Sequence, residues 1–574
     1  MRVVATAGHV DHGKSSLILA LTGTDPDRFA EEKRRGLTID VGFAHTTLPS
    51  GEAISFIDVP GHVRFLRNML AGVGGIDACL FVVAATEGWK PQSEEHLRIL
   101  ELLGVRHGVI ALTKVDLVDD EWRDIATLEL LDHVAGTFLA DAPIVAVAAP
   151  TGRGLDDLVD ALDALVAQTP TAIDRRRPRL WVDRVFAAKG SGTVVTGTLT
   201  GGTFAVDDHV AVGRRHPDVR VRSIQTLGET VASVGAGNRV ALNLSGIEHA
   251  DVERGDAVVI GRQWMPTARF DATLHVLDRL DHEVSRRGAF VAYIGSGEFP
   301  VKVRVLGSEA LQPGESGVVR LHLPGPLPLL PGDRYILRES GRGETVGGGE
   351  VLDIHPVLPA SKAHPDRDVD RVVRERGWVT AAELELLTGV RREPTIGAWV
   401  VMPEQLDWLT RAVNKRVVDA GASGLDIAAL DDRERAVLAR INDVLIDSGR
   451  VRQATARDPL ADHPFAAALL AAKFTPPDAV GVDRGELRQL IQRGTVVERD
   501  GVHFHAETID AAARVAATLL AQNPDGFTVA QFRDATGSSR KHALPLVAEL
   551  DSRGVTRRRD DLRIGGPRLP TLGV

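Results

Sequence analysis

Short apolar runs alternate with longer amphipathic segments along the first 169 residues. The runs Ile54-Ser-Phe-Ile57, Leu80-Phe-Val-Val83, Gly108-Val-Ile-Ala-Leu112 and Ile144-Val-Ala-Val147 are too short for helices and rich in β-branched residues, so they read as buried strands. With helix-period segments between them, they predict a parallel α/β sheet. The stretch Thr169-Pro-Thr-Ala-Ile-Asp-Arg-Arg-Arg-Pro178 combines two prolines with a charge run and reads as an exposed linker. From Arg179 to Pro356 the chain turns to short Val-rich runs broken by Gly and Pro, which predicts two β-barrels. After Pro356 come Leu- and Ala-rich helical stretches that each close on a short β-type end, such as Gly494–Phe504 and Gly554–Ile564. These predict helix-turn-helix units with hairpin wings. The expected order is an α/β domain over residues 1–172, β-barrel domains over 178–263 and 266–358, and three or four tandem winged-helix domains over 364–574, the last at about 520–574.

Length and composition narrow this picture without changing it. A chain of 574 residues needs several cores, and 44% hydrophobic with 25% charged residues is the make-up of ordinary folded domains. The net charge of -10 excludes a generally basic nucleic-acid binder, so any RNA contact must come from local patches. The one cysteine, Cys79, lies inside an apolar run, which rules out a disulfide framework and a thiolate metal cluster. A glycine loop follows the first strand within eight residues, no apolar run approaches the roughly 18 residues of a membrane helix, and the expected setting is cytoplasmic, without membrane attachment.

The chemistry is concentrated at strand ends. Gly8-His9-Val10-Asp11-His12-Gly13-Lys14-Ser15, followed by Ser16, has the spacing of a phosphate loop and sits between a strand and a helical run. Its glycines let backbone N–H groups wrap phosphates, Lys14 supplies a point charge, and the Ser15 hydroxyl suits Mg²⁺. Asp58-Val-Pro-Gly61-His62 ends a strand, where a carboxylate can hold the metal and the Gly61 N–H can sense a γ-phosphate. Thr38, in the charged segment Arg35-Gly-Leu-Thr-Ile39, is a candidate third metal ligand. Thr113-Lys114-Val-Asp116 follows the fourth strand, where Asp116 can accept both guanine N–H donors and reject adenine, which lacks them. Taken singly, the strand-end Asp reads equally as a plain turn and the threonine as a solvated loop residue. In this order they make a P-loop GTPase domain with GTP/GDP and Mg²⁺.

Through Gly8–Lys14 and Asp58–His62 the chain resembles the translational GTPases typified by elongation factor Tu, and Gly190-Ser-Gly-Thr-Val-Val-Thr-Gly197 is similar to the strand that opens their second domain. The resemblance covers roughly the first 355 residues. It implies that His62 orients the attacking water on the ribosome. The base-contacting Ser-Ala loop stands here as Ala148-Ala149, and Thr113 replaces the more common Asn. Both departures bear on nucleotide grip. Thr at that position resembles the selenocysteine-specific branch, which exchanges nucleotide without a dedicated factor.

The tail points to the same branch. Phe527–Asp534, Ser539–Leu546, Leu550–Arg557 and Thr345–Asp353 resemble the bacterial selenocysteine-specific elongation factors. That resemblance implies selenocysteyl-tRNA, the ribosome and a messenger RNA hairpin as partners of a monomer. Its terminal winged helix would grip the hairpin beside a recoded UGA codon through Arg533, Ser539, Arg540, Lys541, Arg557 and Arg558, with Arg559 and Arg563 in the same cluster. It also implies an aminoacyl pocket at Asp183, Arg184 and Arg239, the arginines facing a selenolate and Asp183 an amino group or an arginine. Two other readings remain at this stage: a general aminoacyl-tRNA or initiator-tRNA carrier, and a GTP-switched nucleic-acid-binding regulator.

Overall fold

The computed structural model describes residues 1–26, 40–60, 75–188, 192–213, 216–455 and 460–571. The chain divides into two compact units, Met1–Met402 and Pro403–Val574. The first unit opens with a six-stranded sheet of β1 (Arg2–Ala7), β2 (Gly42–Thr47), β3 (Ala53–Asp58), β4 (Ala78–Ala84), β5 (Gly108–Thr113) and β6 (Ile144–Ala146). Its order is β2-β3-β1-β4-β5-β6, parallel throughout except for β2, which runs antiparallel to β3 at the edge. Every residue of β4 and β5 is buried, because helices cover both faces, and Cys79 of β4 is 0% exposed. The helix Leu155–Gln168 turns Leu158, Leu162, Leu165 and Val166 inward at helical spacing. In the helix Asp120–Val134, the Asp119 carboxylate accepts the Trp122 N–H at 2.8 Å, capping the first turn.

Two barrels follow. In the first, Arg179–Trp181 and Arg184–Ala188 both pair with the long strand Gly192–Thr200, and pairing of His209–Val212 with His216–Thr226 returns the sheet on itself. The second is a closed six-stranded barrel from Thr267–Val276 to Glu344–Asp353. Its wall holds a buried ion pair in which Arg320 donates to both Asp271 oxygens at 2.6 and 2.8 Å. The helices Val369–Arg376 and Ala381–Thr388, with the hairpin Trp378–Thr380/Trp399–Val401, put Val372, Val379, Leu384 and Val400 into the core of this barrel. Arg371, 7% exposed, fastens them by donating to Asp353 at 3.1 Å.

Among its described residues the second unit carries three further hairpins, Val444–Asp447/Arg450–Gln453, Val496–Arg499/Val502–His505 and Thr556–Arg559/Leu562–Gly565. Helices precede each of them, as in winged helices. The last module closes around Phe527, Phe532, Leu546 and Leu550. Among the described residues no helix is long and apolar enough to cross a membrane.

Candidate functional site

The phosphate loop leaves β1 at Gly8, whose φ is 131° and where a Cβ would lie 2.1 Å from the Val82 carbonyl oxygen, so only glycine fits. Asp11 and Gly13 also adopt positive φ, which turns successive backbone N–H groups to one side before the helix Lys14–Thr22 begins. The Lys14 ammonium spans the loop, donating to the carbonyls of Gly8 at 3.1 Å and His9 at 2.7 Å. Ser16 lies in the helix's first turn. From the helix Pro91–Leu102, Gln92 accepts the Val10 N–H at 3.2 Å and His96 Nδ1 accepts the Gly8 N–H at 3.0 Å.

Asp58, at the end of β3 and 0% exposed, gathers the metal-type donors. Ser15 Oγ donates to one of its oxygens at 2.6 Å and Thr6 Oγ1 to the other at 2.7 Å, while Thr6 accepts the Val59 N–H at 3.1 Å. Hard oxygen atoms converging in this way suit Mg²⁺. Thr38, Gly61 and His62 lie outside the described residues.

The base-side loop is tied to the phosphate loop by Thr113, whose hydroxyl donates to the His12 carbonyl at 2.7 Å. A threonine thus bridges the two loops from the position where many GTPases carry asparagine. Lys114 sits at φ 58° and pairs with Glu87 at 3.2 Å, while Asp116 is exposed at the carboxyl edge of the sheet. Ala148 is buried with its N–H on the Arg153 carbonyl at 2.9 Å, and Ala149 is half-buried.

Two histidines brace the loop in neutral form. Burial pushes His12 down to about 4 and His96 down to about 3, with the Lys14 charge adding to both. An unfolded imidazole titrates near about 6.5, so below that pH the unfolded chain binds more protons than the folded one. The stability these groups contribute is full above about pH 6.5 and is lost as the pH falls towards 4 and 3. We therefore expect the unfolding temperature of the full chain to drop between pH 7 and pH 5, and His96→Gln, which keeps an acceptor but does not titrate, to flatten that slope. An unchanged slope would remove His96 from this role.

In the first barrel the structure brings Asp183, Arg184 and Arg239 together. The Arg239 guanidinium donates to both Asp183 oxygens, at 2.6 and 3.0 Å, and Thr196 Oγ1 donates to the same carboxylate at 2.7 Å. Of the two partners expected for Asp183, the arginine is the one engaged. Both cations also lean on Phe43 of β2, with Arg239 3.2 Å and Arg184 4.5 Å from the ring centroid. Arg184 donates to the Val41 carbonyl, and Arg254 reaches Asp40 at 3.4 Å. Phe43 was not among the residues singled out from sequence, since nothing marks an aromatic on one strand as the neighbour of arginines 141 and 196 positions later.

In the last module a capping box of Thr528 and Gln531 starts the helix Val529–Thr536, Gly537 at φ 60° ends it, and Ser539 opens the helix Arg540–Ser552. Ser539, Arg540, Lys541, Arg557, Arg558 and Arg559 are exposed and Arg533 half-buried. Lys541 pairs with Asp478 at 2.8 Å and Arg533 with Asp534 at 2.6 Å. Arg563 departs from this group: it is 9% exposed and donates to Asp551 at 2.8 Å, because the hairpin register turns it inward against the helix Arg540–Ser552.

Three family models match the chain: the elongation factor Tu GTP binding domain over residues 1–168, the selenocysteine-specific elongation factor beta-barrel domain over 274–357, and the elongation factor SelB winged helix over 518–564. A selenocysteine-specific elongation factor of Escherichia coli (strain K12) is 30% identical over 97% of this chain and 97% of its own length. The one of Desulfomicrobium baculatum is 39% identical over 67% of this chain, which spans 63% of that relative's length. The crystal structure of a bacterial selenocysteine-specific elongation factor, EF-Sec, superposes with a TM-score of 0.74 at 26% identity, over 98% of this chain and 100% of that one.

Proposed function

The chain belongs to the selenocysteine-specific elongation factors, and on that footing we propose that it is a GTP-hydrolysing carrier that binds selenocysteyl-tRNA and delivers it to the ribosome at recoded UGA codons. The observation that carries this reading is the convergence of Arg184 and Arg239 on one side of the first barrel, beside the nucleotide-binding domain. Selenocysteine differs from serine and cysteine in that its selenol is largely ionised at neutral pH, so paired guanidiniums select it by charge.

In the nucleotide domain, the backbone of Gly8–Gly13 holds the phosphates and Lys14 neutralises the outer ones. Ser15 and Asp58, with Thr38 as a third oxygen, would hold Mg²⁺, which would supply neutralisation of phosphate charge when bound. Gly61 donates its N–H to the γ-phosphate and His62 orients the attacking water. Exposed Ser539, Arg540, Lys541, Arg557 and Arg558, with Arg533, contact the messenger hairpin, the cations through phosphates and by stacking on splayed bases.

Asp116 supplies the base selectivity. Guanine offers two N–H donors to its carboxylate, whereas xanthine puts a carbonyl where guanine has its amino group. Asp116→Asn presents one acceptor and one donor, so it is expected to weaken GDP binding by about tenfold to a hundredfold and to favour xanthosine diphosphate. Titration of fluorescent derivatives of both nucleotides reads this directly, and unaltered GDP affinity would refute the assignment.

The reading itself is tested by measuring the affinity of GTP-loaded protein for selenocysteyl-tRNA and for seryl-tRNA on the same tRNA body. Strong preference for the selenocysteyl form supports it. Equal binding would leave a translational GTPase and remove the selenocysteine assignment.

A further inference from the structure

The helix Pro91–Leu102 touches the phosphate loop on one side and the second barrel on the other. On the loop side two of its side chains accept backbone N–H groups, His96 Nδ1 that of Gly8 at 3.0 Å and Gln92 that of Val10 at 3.2 Å. His96 is 2% exposed, so a helix displaced without the loop would leave the Gly8 N–H buried and unmade. Loop and helix therefore move together. On the barrel side the neighbouring Glu95 accepts the Thr345 hydroxyl at 3.3 Å and lies 3.8 Å from Arg279. Thr345 is 0% exposed, near the start of the strand Glu344–Asp353. Further along the helix, Ile99 and Leu102 share one core with Tyr335, Ile336 and Val346 of the barrel. Gly348 lets the strand lie this close, since a Cβ there would be 2.5 Å from the Tyr335 carbonyl oxygen and 3.3 Å from the Leu102 Cβ. The same strand ends at Asp353, the carboxylate to which Arg371 donates at 3.1 Å, so the helices over residues 369–401 bear on it as well.

We infer, resting on the reading of the first domain as a guanine-nucleotide site, that Glu95 and Thr345 are positioning residues for it: through the helix they tie the phosphate loop to the second barrel and set how fast GDP leaves. Neither residue touches the loop. Thr345 holds Glu95, the helix backbone joins Glu95 rigidly to His96 and to Gln92 one turn away, and those two hold Gly8 and Val10. A shift of the strand Glu344–Asp353 is thereby felt at the loop that wraps the phosphates, and a loop clamped on nucleotide resists the same shift.

The test follows release of a fluorescent GDP derivative from the full chain, chased with excess GDP. Thr345→Val keeps the shape and loses the hydroxyl, Glu95→Ala removes the acceptor, and each is expected to speed release by about fivefold or more. Glu95→Gln keeps an acceptor for Thr345 and gives up only the partly exposed pairing with Arg279, so its release is expected to stay within about twofold of wild type. The route is read from a mutant cycle. Gln92→Ala together with His96→Phe, which fills the ring's space, takes both acceptors from the loop, and in that background Thr345→Val is expected to add less than about twofold. A merely structural role for Thr345 would speed release equally in both backgrounds, and the single variants stand alone should the paired background hold no nucleotide. Release within about twofold of wild type in both Thr345→Val and Glu95→Ala, or equal acceleration by Thr345→Val in both backgrounds, would overturn the inference. Failure of the wild-type chain to bind GDP would instead remove the nucleotide reading beneath it.

Discussion

In GTP-loaded protein, Arg184→Ala is expected to lower affinity for selenocysteyl-tRNA by about tenfold to a hundredfold while seryl-tRNA binding shifts by less than about threefold. The asymmetry follows from charge: a hydrogen bond to an ionised group contributes about 1.5–3 kcal/mol, and only the selenolate is ionised at neutral pH. Arg239→Ala should act in the same direction but less cleanly. Its guanidinium holds the buried Asp183 at 2.6 and 3.0 Å, and removing it leaves that carboxylate with Thr196 as its remaining partner at 2.7 Å. Part of its effect would then be strain in the barrel. Arg184→Gln separates the contributions, since it keeps a donor and loses the charge. A parallel fall for both tRNAs across these variants would show that the arginines serve the barrel and not the choice of amino acid.

His62→Ala is expected to leave GTP affinity within about twofold and to reduce ribosome-stimulated turnover by roughly 10²- to 10⁴-fold, the usual range for a group that positions or activates a nucleophile. The anchor for this residue lies four positions earlier. Asp58 is locked by Ser15 and Thr6, and the Val59 N–H is bound to Thr6, so the chain departs from β3 at a defined point beside the phosphate loop. Single-turnover hydrolysis with and without ribosomes distinguishes the outcomes. Wild-type stimulation in the variant would sink the role, and loss of GTP binding would place His62 in the nucleotide pocket instead.

What the sequence made legible was local. Gly8 and Lys14 announce a phosphate loop because the chemistry needs them adjacent in the chain, and the apolar runs of β4 and β5 announce burial because every position is covered. What it hid depends on long-range pairing. Phe43 becomes the neighbour of Arg184 and Arg239 only once β2 and the first barrel are brought together. Arg563 joins a basic run by composition, yet strand register turns it towards Asp551. The change of texture after Pro356 marks where helices begin, but it says nothing of what they pack on. Residues 369–401 share the core of the second barrel because Val372 and Leu384 face it and Arg371 binds Asp353.

The placement of Cys79 has a redox consequence. A selenolate is a strong nucleophile that readily enters mixed selenium–sulfur bonds, and a carrier with a reactive thiol would risk cross-linking itself to its cargo whenever an oxidant was present. Cys79 is the only cysteine in the chain, it is 0% exposed within β4, and burial drives its thiol far above the ordinary range. With the thiolate suppressed and the sulfur out of reach, the protein is inert towards the atom it is proposed to transport.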